Sequence, residues 1–115
     1  MSYTNGLDKP SDYFNTVLRS GLYGGSDTAF TVGFQPDWTW IKSRNYDDAH
    51  HVFDAVRGVQ KRLLTSGTQA EATMTDGLSA FGADGFTLGS NGAVNGAYNY
   101  ASWNWKANGA GSANT

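Results

Sequence analysis

Cysteine is absent from this 115-residue sequence, which excludes disulfide bonds, thiolate zinc sites and thiol nucleophiles. Glutamate occurs once, at Glu71. No apolar run approaches the ~20 residues of a membrane-spanning helix, and the N-terminus lacks the basic and apolar regions of an export signal. We therefore expect a soluble protein that depends on packing for its stability.

A strong charge of either sign is also missing. Eight basic and ten acidic residues give a net charge of −2, and the basic residues are spread along the chain. A nucleic-acid-binding surface would need basic residues gathered on one face. The sequence thus predicts no nucleic-acid partner.

The residues that are abundant favour strands and turns. Fifteen glycines accompany many Asn, Ser and Thr residues, a composition poor in helix formers. Seven or eight short alternating runs, spaced near ten residues, predict an all-β fold of the jelly-roll or lectin-like β-sandwich type. A capping-box pattern at Thr68 and Glu71 predicts at most one short helix, near residues 68–75.

The organisation predicted is a single β-sandwich domain over residues 13–107. Residues 1–12 are polar and have too little apolar content to dock firmly, so we expect a neighbouring molecule to order them. Residues 108–115 are rich in Gly, Ser and Asn, which predicts a flexible tail.

All four tryptophans occur in two W-x-W pairs, at residues 38–40 and 103–105. Because side chains alternate along a strand, both indoles of a pair share one face. They form either the core or a stacking platform for a sugar or a base. The core is the favoured interpretation, because one indole can bury on the order of 200 Å². The predicted core residues are Trp40, Trp103, Trp105, Phe53 and Phe86.

Catalytic machinery is not recognisable in the sequence. Adjacent acids at Asp47 and Asp48 lie in a polar loop, where carboxylates are usually solvated. His50 and His51 would point to opposite faces of a strand, a poor chelate, and are expected to be surface residues. We therefore predict no enzymatic activity, no catalytic residues, no cofactor and no metal site.

Two other groups of residues receive roles. Asp54 and Arg57 bracket a chain corner before a glycine and are expected to be architectural, with Arg57 bonded to backbone carbonyls or to the carboxylate of Asp54 or Asp84. Tyr98 and Tyr100 share a strand face in the predicted alternation. They form a candidate ligand or partner surface, because a phenol ring combines apolar area with a polar tip.

The order of the motifs resembles an uncharacterised β-sandwich domain of virion structural proteins from tailed bacteriophages, often marine ones. The resemblance runs from about Lys9 to Gly109. Four stretches are the most specific: F-Q-P-D-x-x-W-I-K (34–42), F-D-x-V-R-G (53–58), D-G-F-T-L-G-S (84–90) and W-x-W-K-A (103–107). The resembling proteins commonly continue into a Gly/Ser linker and a further β module. This sequence ends at Thr115, which favours a small stand-alone virion protein or a fragment of a longer one.

The resemblance implies a non-enzymatic virion component, on the capsid surface or the tail, which binds other virion proteins. Assembly would take place in the cytoplasm of the bacterial host. We expect self-association in many copies, through a sheet edge or a loop end. The alternative is a carbohydrate-binding receptor module of a tail or head fibre, and a sugar-cleaving domain is the least favoured. No membrane insertion is expected.

Overall fold

The computed structural model describes residues 10–21 and 27–107. A single 3-10 turn at Pro10–Asp12 opens the described chain. The strands that follow are β1 (Phe14–Ser20), β2 (Thr28–Thr31), β3 (Trp38–Ser43), β4 (His51–Asp54), β5 (Lys61–Leu64), β6 (Ala72–Thr73), β7 (Leu78–Gly82), β8 (Gly85–Leu88) and β9 (Asn99–Trp105). One short helix, α1 (Gly92–Asn95), lies between the last two strands. The predicted all-β class is confirmed.

The strands form two antiparallel sheets. The larger sheet has six strands in the order β1-β9-β3-β4-β5-β6, and the smaller has three in the order β2-β8-β7. In the larger sheet, β1 is an edge strand of the described chain and pairs with β9, which places the two ends of the described chain side by side. The adjacent strands β9 and β3, both in the interior of the larger sheet, are far apart in sequence.

The core lies between the two sheets, as expected for a β-sandwich. The larger sheet contributes Ile41, Phe53 and Tyr100 to the core, and the smaller one contributes Leu78, Phe86 and Leu88. Four residues from connecting segments and α1 complete the cluster: Val32, Phe34, Met74 and Val94. The tryptophans are not members of it.

The predicted helix near residues 68–75 is wrong. This segment carries β6, which pairs with β5 and places Lys61 beside Thr73. Lys61 Nζ donates to Thr73 Oγ1 at 2.8 Å, so cross-strand contacts override the local capping pattern. The carboxylate of Glu71 binds Arg57 instead of capping a helix. The short helix occurs at α1, where the side chain of Asn91 accepts from Ala93 N at 2.9 Å.

The predictions for both chain ends fall largely outside the described residues. This applies to most of the partner-ordered segment 1–12 and to the tail 108–115. Within the described segment, Tyr13 N donates to Pro10 O at 3.0 Å, which closes the 3-10 turn before β1. In the described ranges, α1 and the other helical turn are too short to cross a membrane.

Candidate functional site

The four indoles lie together on the outer face of the larger sheet, the face turned away from the core. We call Trp38, Trp40, Trp103 and Trp105 the tryptophan face. Strand register brings them together, because β3 pairs with β9 so that Trp38 lies opposite Trp105 and Trp40 opposite Trp103. All four side chains are only partly buried.

The rings of the tryptophan face contact one another at steep angles. The centroids of Trp38 and Trp105 are 4.5 Å apart with an interplanar angle of 62°, and those of Trp40 and Trp103 are 5.6 Å apart at 56°. Trp38 and Trp40 meet edge to face at 5.9 Å. Phe14 extends the row from β1, with its ring 4.8 Å from Trp105. Contacts of this kind stabilise aromatic clusters beyond their buried area.

Apolar side chains continue this face on both sides. Leu18, on β1, is 60 % exposed and lies beside Ala101 of β9 in the register. On the other side, Trp40 lies opposite Val52, and Val52 lies opposite the exposed Leu63 of β5. Apolar side chains on this face therefore occur on five neighbouring strands, β1, β9, β3, β4 and β5, although Val52 of β4 is itself buried.

The inner face of β3 and β9, the two strands that carry the tryptophans, is unusually polar. Thr39, Ser43, Ser102 and Asn104 are all buried there. Asn104 Nδ2 donates to Asn15 O at 3.0 Å and to Ser102 Oγ at 3.2 Å. Asn104 Oδ1 accepts from Thr39 Oγ1 at 3.1 Å. These bonds satisfy buried polar groups that would otherwise be costly.

The prediction that Trp40, Trp103 and Trp105 form the core is therefore wrong. Alternation places both indoles of a pair on one face but does not say which face is buried. Ile41 and the polar residues of β3 and β9 occupy the inner side, so the indoles point outward. Phe53 and Phe86 do lie in the core, at 0 % and 2 % exposure.

Arg57 and Asp54 lie together at the corner after β4. Arg57 Nε donates to Asp54 Oδ2 at 2.5 Å, and its Nη1 to Glu71 Oε1 at 3.1 Å. Arg57 Nη2 reaches the carbonyl of Val52 at 3.3 Å, while Asp54 Oδ1 accepts from Arg57 N at 2.7 Å. The pair joins β4 to the segment before β6, with Glu71 as a partner that the sequence analysis did not propose. Asp84 lies elsewhere, in the turn between β7 and β8.

Tyr100 is not part of a surface. It lies fully buried on the inner face of β9, where its hydroxyl donates to Gly92 O at 3.0 Å and accepts from Gly96 N at 2.8 Å. Burial raises the pKa of Tyr100, and the hydrogen bond from Gly96 partly opposes that shift. Tyr98 precedes β9, so strand alternation does not place the two tyrosines on a common face. Its ring stacks on Tyr46, with centroids 4.2 Å apart.

Two further basic side chains lie inside the sandwich, Arg19 partly buried and His51 almost fully, and neither was predicted from the sequence. Arg19 lies over the rings of Phe30 and Tyr100, at 4.4 and 4.6 Å, and its Nη2 donates to Val94 O at 2.8 Å. Burial lowers the pKa of Arg19 to about 10, against an opposing contribution from Tyr100. Its position on β1, in phase with Asn15 and Val17, was the signal that it faces inward.

His51 is the second buried basic residue. It is 2 % exposed, so the expectation of a surface histidine is wrong. His51 lies opposite Ile41 in the register and two residues from Phe53, so it shares the inner face of the sheet with these core residues. Its Nε2 lies 3.9 Å from Asp48 Oδ1, too far for a hydrogen bond. Burial lowers the pKa of His51.

The described surface offers no cluster of metal ligands. Over residues 10–21 and 27–107, no three His, Asp or Glu side chains come close enough together to hold a metal ion. The clearest feature of the described surface is thus the tryptophan face with its apolar margins.

Comparison with known proteins adds a family assignment. No curated protein and no solved structure matches the sequence. One family model does match, over residues 9–115, and it is described as a domain of unknown function. Because the match covers most of the sequence, the chain belongs to this family, DUF7483.

Proposed function

We propose that this protein is a non-enzymatic structural component of a tailed-phage virion, held on the capsid surface or the tail by its tryptophan face. The resemblance of the motif order to virion domains supports the biological setting. The distribution of side chains on β3 and β9 supports the mode of action. The proposed partner is another virion protein, with many copies of this chain on each particle.

The observation that carries the proposal is the arrangement of side chains on β3 and β9, where the buried side is polar and the outer side is aromatic. Their buried side holds Thr39, Ser102 and Asn104, while their outer side holds four partly exposed indoles. Large uncovered apolar patches on a small protein usually mark a contact with a partner. Aromatic residues are also enriched in the buried centres of protein interfaces.

The size of the face fits a protein partner. The strands β1, β9 and β3 each have at least six residues; spaced ~4.8 Å apart and advancing ~3.4 Å per residue, they present roughly 300 Å² of flat area. Patches of about 300–600 Å² are the largest on typical monomers and are often functional. A flat sheet of this size suits a second sheet or a helix better than a small molecule.

The ring geometry argues against sugar binding on this face. A sugar ring stacks on a flat aromatic surface that is open to solvent. Here Trp38 meets Trp40 and Trp105 at 72° and 62°, so each contact covers part of a ring face. The indoles thus form an interlocked apolar surface without a free stacking plane.

Rebinding to particles tests the proposal. Phage particles that lack this protein are mixed with the purified chain, pelleted and analysed by quantitative mass spectrometry. We expect wild type and the control Tyr46→Ser to rebind to saturation. The double variant Trp40→Ser/Trp103→Ser should remain folded by circular dichroism but bind about a hundredfold more weakly, since central aromatic residues dominate interface energies.

Two outcomes would overturn the proposal. One is the absence of this protein from purified wild-type particles. The other is equal rebinding by the folded double variant, which would show that the attachment does not use the tryptophan face.

A further inference from the structure

A second candidate site lies at the end of the sandwich where β3 finishes and β9 begins. A cavity of about 300 Å³ is lined there by Tyr46, Asp48, Gly92, Gly96, Ala97 and Tyr98, and we call it the tyrosine pocket. It is separate from the tryptophan face, because Trp103 and Trp105 lie four and six residues along β9 from its first residue, roughly 14 and 20 Å away.

The wall of the tyrosine pocket is a pair of parallel phenol rings. Tyr46 and Tyr98 stack with an interplanar angle of 14°. Tyr46 is 51 % exposed, so Tyr98 supports one side of its ring while much of the side chain remains open to solvent. Unlike the steeply tilted indoles, this arrangement offers a flat surface on which the C–H face of a sugar ring can lie.

The floor of the pocket is held in place by a buried hydroxyl. Tyr100 bonds to both Gly92 O and Gly96 N, at 3.0 and 2.8 Å, and so fixes the two ends of α1. A Cβ at Gly96 would approach Gly92 O to 2.6 Å, so Gly96 accepts no larger residue without a shift of the backbone.

The loop that carries Tyr46 is also anchored. Lys42 Nζ donates to Tyr46 O at 3.2 Å, and Asn45 Oδ1 accepts from Asn99 N at 2.9 Å. These bonds tie the loop to β3 and to the start of β9. A site fixed before the ligand arrives loses less conformational entropy on binding.

The charge of the pocket indicates the class of ligand. Asp48 is the one charged residue in its lining. Its Oδ1 accepts from Ala49 N at 2.7 Å, and a carboxylate has about four acceptor positions, so capacity remains for a ligand hydroxyl. A lone carboxylate favours hydroxyl donors and repels anions.

We propose that the tyrosine pocket binds an uncharged saccharide, with the sugar ring stacked on Tyr46 and a sugar hydroxyl donating to Asp48. Small-ligand sites are typically concave, largely aromatic or apolar, and furnished with a few polar groups, as here. If the protein is attached to the virion by its tryptophan face, as proposed above, the tyrosine pocket remains accessible to a glycan of the host surface.

Nuclear magnetic resonance titration of the full chain tests the proposal. The probes are the methyl glycosides of glucose, mannose and galactose, with N-acetylglucosamine, and N-acetylneuraminic acid serves as the anionic comparison. We expect at least one neutral sugar to bind with a millimolar Kd and to shift the amide signals of Gly92, Gly96 and Ala97. The anionic sugar should bind at least about tenfold more weakly, because of repulsion by Asp48.

Variants locate the binding and separate it from attachment to particles. Tyr46→Ala should abolish the shifts, and Asp48→Asn should weaken binding about tenfold, the usual value of a charged hydrogen bond. Tyr100→Phe should also weaken binding, because it removes the hydroxyl that holds Gly92 and Gly96 in the pocket floor, although Tyr100 does not contact the sugar. Trp103→Ala, on the tryptophan face, should bind the sugar like wild type. The proposal is wrong if no neutral sugar gives saturable shifts, or if Tyr46→Ala binds as wild type does.

Discussion

Thr39 of β3 and Asn104 of β9 join these two neighbouring strands through a buried hydrogen bond of 3.1 Å, from Thr39 Oγ1 to Asn104 Oδ1. On each strand, the residues flanking this pair carry indoles that point the opposite way. The bond therefore lies on the polar, buried side of these two strands, and the four indoles lie on their outer side.

Removal of the amide at Asn104 should be costly. Asn104→Ala leaves the hydroxyl of Thr39 and the carbonyl of Asn15 without their present partner. We expect the free energy of unfolding to fall by about 2–4 kcal/mol, measured by urea denaturation. Asn99→Ala, at an exposed position of the same strand, should cost less than about 0.5 kcal/mol. Equal losses in the two variants would contradict the importance of this polar layer.

Truncation of an indole should cost less than truncation of a core ring. Trp105 keeps part of its surface in water, so Trp105→Ala should lower the free energy of unfolding by about 1–2 kcal/mol. Phe53→Ala, at a fully buried position, should cost about 3–5 kcal/mol. Thermal and urea unfolding of both variants provide the comparison. A larger loss for Trp105→Ala would place the tryptophans among the main stabilising residues.

Lysine should not replace arginine at the corner after β4. Arg57 forms a fork of bonds to Asp54, Glu71 and the carbonyl of Val52, and an ammonium group cannot reproduce that geometry. Arg57→Lys should lower the free energy of unfolding by about 1 kcal/mol, since the ion pairs are partly screened by solvent. The exposed Arg44→Lys serves as the matched control and should have no effect. Indistinguishable stabilities would show the fork to be dispensable.

Acid should destabilise the protein through His51. Burial lowers its pKa in the folded state; Asp48 opposes this shift, while Arg62, His50 and Lys42 add to it. The unfolded chain therefore takes up the proton first. The stability contributed by neutral His51 is fully present above about pH 6.5 and is lost as the pH falls from there toward the folded pKa.

Urea unfolding from pH 8 down to pH 5 measures this effect. Wild type should lose stability steadily below about pH 6.5, whereas His51→Gln should show a shallower dependence. If His51→Gln and wild type change in parallel, another group causes the loss in acid.

The sequence was informative wherever local rules decide the structure. Alternation in residues 38–43 separated Trp38, Trp40 and Lys42 from Thr39 and Ile41, as observed. The short turn at Ala83 and Asp84, flanked by Gly82 and Gly85, likewise joins β7 to β8 through local residues alone. Strand periodicity and turn chemistry depend on neighbouring residues, so they can be read from a single chain.

The short helix was misplaced, and the tyrosine pocket was not foreseen, because both depend on pairing between segments that are far apart in sequence. The segment near Glu71 becomes a strand through its pairing with β5, and the tyrosine pocket forms only when the loop after β3 meets the start of β9. Tyr46 was not recognised as a site residue because its partner, Tyr98, is far away in sequence. Pairing between remote segments is set by the fold as a whole.

By itself, the sequence determined that this is an all-β chain in which the two tryptophans of each pair share one face of their strand. The pairing of the two tryptophan-bearing strands, β3 and β9, came from the tertiary structure. Only the tertiary structure decided that this face points outward, because a one-residue alternation is equally consistent with either side being buried. The choice was made by the fit of Ile41, Phe53 and Tyr100 against the smaller sheet. Because these residues fill the space between the two sheets, the indoles lie on the outer surface, where we propose that they bind another virion protein.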